Sequence, residues 1–487
     1  MNVFDEAEKA WNDMAPLRER RNRYKMFTYG RQWDDTVRDP DTGLFVSERS
    51  LLSRDGRPPL TNNLIRQLVK SIIGRYRRQA ETAIKRTATD CGKCNGEYKR
   101  ISEFMRRMYL LHRLDELDCR LLEEFLISGV AVQRLGIDDY SRKHGYQAVA
   151  NVSPECFFVS QCFDPRGIDI ELIGMMHHWR PEEIVVRWGG QDRDKALQLL
   201  ARLRSMVSET PALTGGDGSL FRHAPPSMVR VIEVWRLESH EFFHVHDPEK
   251  GLYYIARSNA SRRLKADNAR RQRRQRPLLN YRWQLQRIWT GRWFLPDGSL
   301  LDTVRLPPGQ KHPFAVKFYP LIDGEIHSLV EDVVDQQKYV NRLINLLDRM
   351  MATAAKGALL FPVDALPEGC DFEDVTRQWS ATDGVVLYKG LHGDDPPRQL
   401  TTTVGDVGAR DLLRTEMELF KEISGVGDTL VGRTPASGVG AERYGMEIDN
   451  ASVSIKDILD TFGSLIDHRN LRLISQYLSN NQNREKS

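Results

Sequence analysis

The stretch 325–351 constrains this chain more than any other. Ile326, Leu329, Val330, Val333, Val334, Val340, Leu343, Ile344, Leu347, Met350 and Met351 recur at the spacing of one helix face. That spacing predicts one helix about 40 Å long at 1.5 Å per residue, longer than an ordinary globular helix. Asp323 or Gly324 marks its expected start and Gly357 its end. The other face opens on Glu325, Glu331, Asp332 and Asp335 and closes on Arg342 and Arg349. Acid at the start and base at the end suit the helix dipole. The apolar stripe is too wide for a solvated rod, so such a helix needs neighbours.

Around this helix the texture is mixed. Helical periodicity predicts further helices over 5–27, 62–79, about 96–129, 181–207, 406–424 and 446–479. Thr61 or Asn62 is the local cap candidate for 62–79. Short β runs fill 130–180, and 229–257 alternates apolar with polar around the turn Asp247 to Gly251, which predicts a hairpin. After a basic helix, 281–289 alternates again, Gly291 breaks the run, and Pro296-Asp297-Gly298 makes a turn. This reads as a small β-rich module. The expected fold class is α/β, mixed and α-rich. At roughly 100–200 residues per domain, 487 residues make two to four folding units.

Net charge says little, because 71 basic against 67 acidic residues leave only +4. The distribution says more. Between 257 and 292 stand Arg257, Arg262, Arg263, Lys265, Arg270, Arg271, Arg273, Arg274, Arg276, Arg282, Arg287 and Arg292, against the single acid Asp267. Tyr281, Trp283, Trp289 and Trp293 are interleaved with them. A solvated helix face, a phosphate contact and an acidic partner would all use such a stretch. The aromatics suit stacking on single-stranded bases and an arginine-rich protein interface equally. A partner interface over Arg270, Arg271, Arg273, Arg274, Arg276, Trp283, Trp289 and Trp293 is the favoured reading.

Motifs for chemistry fall short. Gly427 to Thr434 nearly fits the phosphate-binding loop, but Arg433 stands where a lysine reaches the terminal phosphates, and the loop follows a helix instead of a strand. Cys91-x-x-Cys94 has no matched second pair. His240, His244 and His246 would share one side of a strand, yet no acid or thiol nearby completes a metal site. No H-E-x-x-H or G-x-S-x-G signature is present. Six cysteines in a chain this long imply no disulfide framework and synthesis in a reducing cytoplasm. No apolar run is long enough to span a bilayer, and the acidic N-terminus does not read as a signal peptide. The expectation is therefore a non-enzyme without catalytic residues, metal or cofactor. The competing readings are a nucleotide-binding packaging enzyme (ATPase or nuclease) using 427–434, and a cellular nucleic-acid-binding protein using 257–292.

Several segments, taken in order, resemble phage portal proteins, in particular those of short-tailed phages. FTYGRQWDD (27–35) looks like that family's aromatic–Gly–x–Gln–Trp segment. PLTNNLIRQLVKSIIGRYRRQ (59–79) is similar to the helix that follows it, and VIEVWRLESHEFFHVHDPEKG (231–251) to its Glu-aromatic strand pair. The most specific match is 312–362, where a Pro-containing strand leads into the long helix, a small-residue run and a Lys-Gly turn. TPASGVGAERYGMEIDN is similar to the loop and helix start that follow.

The resemblance implies a portal fold assembled as a ring of twelve subunits at one capsid vertex of the virion. Its parts would be a wing (1–256 and 357–445), stem helices (257–271 and 323–356), a clip (272–322) and a short helical crown (446–487). Double-stranded DNA would pass through the channel during packaging and ejection. The terminase packaging motor would dock first, then head-to-tail adaptor proteins, with major capsid and scaffolding proteins as further partners and no membrane. Glu325, Glu331, Asp332 and Asp335 would line the channel. The Gly-rich stretch 424–445 would be a mobile tunnel loop that touches DNA through Arg433 and Arg443.

Overall fold

A computed structural model describes residues 2–55, 58–90, 96–136, 139–190, 192–209, 221, 224–356, 358–360, 371, 373, 398–400, 408–425 and 453–485. In chain order the elements are α1 (Val3–Asp13), α2 (Ala15–Thr28), β1 (Thr36–Arg38), β2 (Phe45–Ser47), α3 (Glu48–Leu52), α4 (Leu64–Asp90), α5 (Gly96–His112) and α6 (Leu114–Ser128). Next come β3 (Val130–Leu135), α7 (Asp139–Lys143), β4 (Val149–Asn151), β5 (Phe157–Val159), β6 (Leu172–Trp179), α8 (Pro181–Trp188) and α9 (Arg193–Glu209). Then follow β7 (Val229–Asp247), β8 (Leu252–Arg257), α10 (Ser261–Arg273), β9 (Asn280–Phe294), β10 (Leu300–Arg305), β11 (Phe314–Phe318), β12 (Pro320–Ile322) and β13 (Glu325–Ile326). The chain closes with α11 (Leu329–Lys356), β14 (Ala358–Leu360), β15 (Arg398–Leu400), α12 (Ala409–Ser424) and α13 (Val453–Glu485). Helix and sheet are mixed, as the sequence predicts.

Contacts divide the chain into two units. The first comprises Met1–Thr28, Arg66–Asp332 and Gly425–Ser487. Its main sheet has the order β10-β9-β7-β6-β5, with β8 beside β7. A second sheet runs β11-β3-β4. Phe4, Trp11, Phe158, Phe221, Trp235 and Trp293 are among the side chains of its core. The predicted helix 5–27 divides at Met14, because Pro16 in the next turn has no N–H to continue the ladder. The predicted helix 96–129 divides at Arg113, whose φ of 48° is left-handed. It ends on Gly129 as expected: φ is 72°, and a Cβ there would meet the His327 carbonyl at 2.5 Å.

The β-rich stretch that begins at 281 lies within the main sheet. β9 pairs with β7 without interruption from Ile232↔Phe294 to His246↔Asn280. Gly291 does not break the strand. It lies under the Trp235 ring, where a Cβ would come within 2.8 Å of the indole. That close approach is the reason for glycine inside a strand.

The second unit comprises Tyr29–Ile65 and Val333–Ser424. It holds the β1–β2 hairpin, α3, most of α11, the β14–β15 pair and α12. Trp33 is buried there and donates from Nε1 to the Thr61 hydroxyl at 2.9 Å.

Candidate docking and channel surfaces

The long helix begins later than its periodicity implies. Ser328 caps it: Oγ accepts from the Glu331 N–H at 3.1 Å, and the Glu331 carboxylate accepts from the Ser328 N–H at 3.3 Å. This reciprocal S-x-x-E box fixes Leu329 as the first helical residue. Asp323 and Gly324, the expected start, form the β12–β13 turn with φ of 53° and 84°.

Two of the four acids expected along one helix face are therefore placed differently. Glu325 stands on β13, off the helix, with its carboxylate 3.3 Å from His327 Nε2. Glu331 serves the cap and pairs with Arg20 at 3.3 Å. Asp332 and Asp335 remain exposed on α11, in one stripe with Tyr339, Arg342, Leu346 and Arg349. Partial burial, then the neighbouring Glu331, raises the Asp332 carboxyl above its ordinary value. The second half of the stripe is committed locally, with Arg342 on Glu48 at 2.8 Å and Arg349 on the Leu52 carbonyl at 3.0 Å. The face is acidic for about one turn and then mixed.

The basic stretch belongs to a lobe of the first unit. The outer half of β7, β8, α10 and the first half of β9 build it around Val245, Leu264 and Leu279. Asn268 clamps Leu279 from both sides, accepting from its N–H at 2.7 Å and donating to its carbonyl at 3.0 Å. Arg271 donates to both Asp247 oxygens at 2.8 and 2.6 Å, and this contact brings the Asp247 carboxyl down to about 2.

The candidate interface residues divide accordingly. Arg270, Arg273, Arg274 and Arg276 are exposed, and Arg276 lies 3.2 Å from Glu249. Trp283 is 53 % exposed. Arg271 is consumed in holding the lobe together. Trp289 is buried, and Trp293 is fully enclosed with its Nε1 donating to the Tyr146 hydroxyl at 2.8 Å. These two tryptophans belong to the core because β9 runs inside the main sheet.

The three strand histidines have separate neighbours. His240 faces Glu238 at 3.4 Å, His244 meets Gln286 at 2.9 Å, and His246 stacks on Tyr253. Among the described residues, no group of three or more His, Cys, Asp or Glu could hold a metal ion.

The densest buried ionic group centres on Glu233. Arg134 donates to it from Nε and Nη2 at 2.9 Å, His177 Nε2 lies 2.7 Å away, and Trp235 Nε1 donates at 2.8 Å. Burial raises the Glu233 carboxyl, but Arg134 and His177 overcome it and hold it at about 2. Burial keeps His177 neutral by lowering its pKa. A fully enclosed, fully bonded carboxylate joins two sheets and leaves no lone pair for a substrate. A cleft of about 670 Å³ lies elsewhere, lined by Lys9, Asp13, Arg20, Cys162, Glu325 and His327 among others. Burial pushes the Cys162 thiol up to about 12, so it is no thiolate nucleophile at neutral pH.

Sequence reading missed a polar ladder inside the apolar stripe of α11. Gln337, Asn341 and Asn345 recur every four residues, and the first two are fully buried. Asn341 Oδ1 accepts from the Asn62 N–H at 2.7 Å. Asn345 both accepts from Leu60 N–H at 2.7 Å and donates to its carbonyl at 3.1 Å. Amides interrupting an apolar stripe at a fixed interval were the available signal. Arg433, Arg443, the loop 427–434, Cys91 and Cys94 lie outside the described residues. Among the described residues, no helix is long and apolar enough to cross a membrane.

A family model described as phage P22-like portal protein matches residues 4–484. No curated protein matches the chain.

Proposed function

The chain belongs to the phage P22-like portal protein family, and from that premise we propose that it forms a ring of twelve copies at one capsid vertex. The family is a structural one, a head-to-tail connector that serves genome packaging. The match over 4–484 carries the reading, because it spans nearly the whole chain instead of one motif. The ring would conduct double-stranded DNA inward during packaging and outward during ejection. It would receive the terminase motor first and the tail adaptors afterwards. Major capsid and scaffolding proteins would be further partners, and the virion would be its location.

The described fold suggests a redrawn division of labour. α10 folds back on β7–β9 and spans only Ser261–Arg273, so it suits a wing lobe better than a stem. We assign the stem to α11 and α12, which flank 357–408 in sequence, and the clip to that intervening stretch. Exposed Tyr339, Leu346 and Met351 on α11 and Leu412, Leu419 and Ile423 on α12 support this. Apolar residues left uncovered along two long helices suit neighbouring copies in a ring. Asp332 and Asp335 would face the channel, where a carboxylate does not hold phosphate and so does not slow sliding. Arg433 and Arg443 would be the DNA contacts of the 424–445 loop, and α13 the crown. Packaging and DNA retention unchanged in the Arg433→Ala/Arg443→Ala variant would remove the assignment of Arg433 and Arg443 as DNA contacts.

Electron microscopy of the purified full chain tests the function directly. The expected image is a ring with a central hole of about 20 Å or more, wide enough for a duplex. A monomer that binds DNA with strong salt dependence, or tight magnesium-dependent ATP binding, would instead favour the competing readings.

A further inference from the structure

The lobe formed by β8, α10 and the outer half of the β7–β9 ribbon has two properties that its own packing uses only in part. The first is charge. Residues 239–287 hold twelve lysines and arginines against four aspartates and glutamates, while the whole chain carries only +4. Leu264, Asn268 and Arg271 face inward, so the outer side of α10 presents Arg262, Arg263, Arg270, Arg273 and Arg274, all exposed. Ala266 and Ala269 lie between them and let another backbone approach closely.

The second property is an open strand. Among the described residues, β8 pairs with β7 along one side only. Its other side offers backbone N–H and C=O groups to any chain that can lie alongside. Leu252, Tyr253 and Ile255 on this strand, with Leu285 on β9, are between 47 % and 79 % exposed. An apolar, uncovered edge strand is a template for strand addition.

Together these surfaces choose between two classes of partner. A phosphate backbone would satisfy the arginines but offers nothing to Leu252, Ile255 and Leu285. An extended protein segment satisfies both: its main chain adds to β8, its apolar side chains cover Tyr253 and Ile255, and its carboxylates reach α10. We infer that the β8–α10 lobe is a docking site for an extended acidic segment of another protein, bound by strand addition at Leu252–Arg257. The inference stands on this surface alone and survives if the ring reading fails.

The test uses the purified full chain and a fluorescein-labelled peptide that alternates glutamate with valine. Anisotropy should show saturable binding that weakens with added salt. Arg262→Glu/Arg273→Glu should weaken it by about tenfold or more, and Tyr253→Thr/Ile255→Thr by about fivefold. Threonine keeps strand propensity, and unchanged circular dichroism would show that both variants fold. A DNA duplex serves as the comparison ligand. Absence of peptide binding overturns the inference. So does peptide binding that ignores Tyr253→Thr/Ile255→Thr, or duplex binding that is tighter than peptide binding and depends on the arginines alone.

Discussion

Gln337 on α11 caps the helix that begins at Leu64: its Oε1 accepts the Leu64 N–H at 2.8 Å and the Ile65 N–H at 3.2 Å, and its Nε2 donates to the Asn62 carbonyl at 2.6 Å. The cap comes from 273 residues away. Gln337→Leu keeps the volume but strands three backbone groups. An unsatisfied buried group costs about 1–3 kcal/mol, so the loss should reach at least about 2 kcal/mol. Asn345→Ala, at the more exposed end of the ladder, should cost about 1 kcal/mol. Urea unfolding of both variants checks the order. Equal or reversed losses would contradict it.

Arg134 and Glu233 join β3 of one sheet to β7 of the other. Removing one partner leaves an uncompensated charge in the core. Arg134→Met and Glu233→Leu should each cost about 3–5 kcal/mol. The double variant should cost clearly less than their sum, because it strands neither charge, although His177 and Trp235 still lose a hydrogen-bond partner. A double-mutant cycle on thermal unfolding reads this coupling. Additive losses would mean the pair does not act as a unit.

Sequence periodicity located the long helix, the β7–β8 hairpin and the antiparallel texture, because those patterns are local. It could not see partners distant in sequence. Thr61 and Asn62 are the local cap candidates for α4, yet the acceptor is Gln337. Gly291 reads as a break until Trp235 is found lying across it. Trp289 and Trp293 look like an interface until β9 is seen inside the main sheet. Glu325 shares the helical register of the acids but precedes the Ser328 cap. Of the candidate surface, the arginines of α10 and Trp283 were legible, since a dense run of charge must reach solvent. The open edge of β8 was not, because pairing is a property of the sheet.

Acid should weaken the first unit well above the carboxylate range. His177 and His312 are buried, and burial lowers both, His312 well below its ordinary 6.5. Burial, then Arg230, lowers His178 to about 4. Each is neutral in the fold and would take a proton near 6.5 once unfolded. The unfolded chain therefore binds more protons below that value. The stability these residues give is complete above about pH 6.5 and drains as pH falls towards 4. The unfolding midpoint at pH 5 should lie below that at pH 7.5, and His312→Gln should flatten the profile. A midpoint unchanged across this interval would exclude the effect.

The C-terminal helix α13 is pinned through Arg469, which is fully buried. Its Nη1 donates to the Asp118 carboxylate and its Nη2 to the Tyr109 hydroxyl at 3.0 Å. Burial raises the Asp118 carboxyl above its ordinary 3.8 even with Arg469 beside it. Arg469→Met removes the counter-charge, so Asp118 must either stay charged at high cost or bind a proton. A raised folded-state pKa gives stability that is present at low pH and lost as pH rises through that value. The variant should thus be most damaged at neutral pH, and its deficit against the parent chain should shrink as pH falls towards 4. Limited proteolysis at pH 7.5 should release fragments of α13 from the variant first. Asp118→Asn in the same background should restore part of the loss and remove the pH dependence of the deficit. A deficit that stays constant with pH would show that Arg469 acts through packing instead of through its charge.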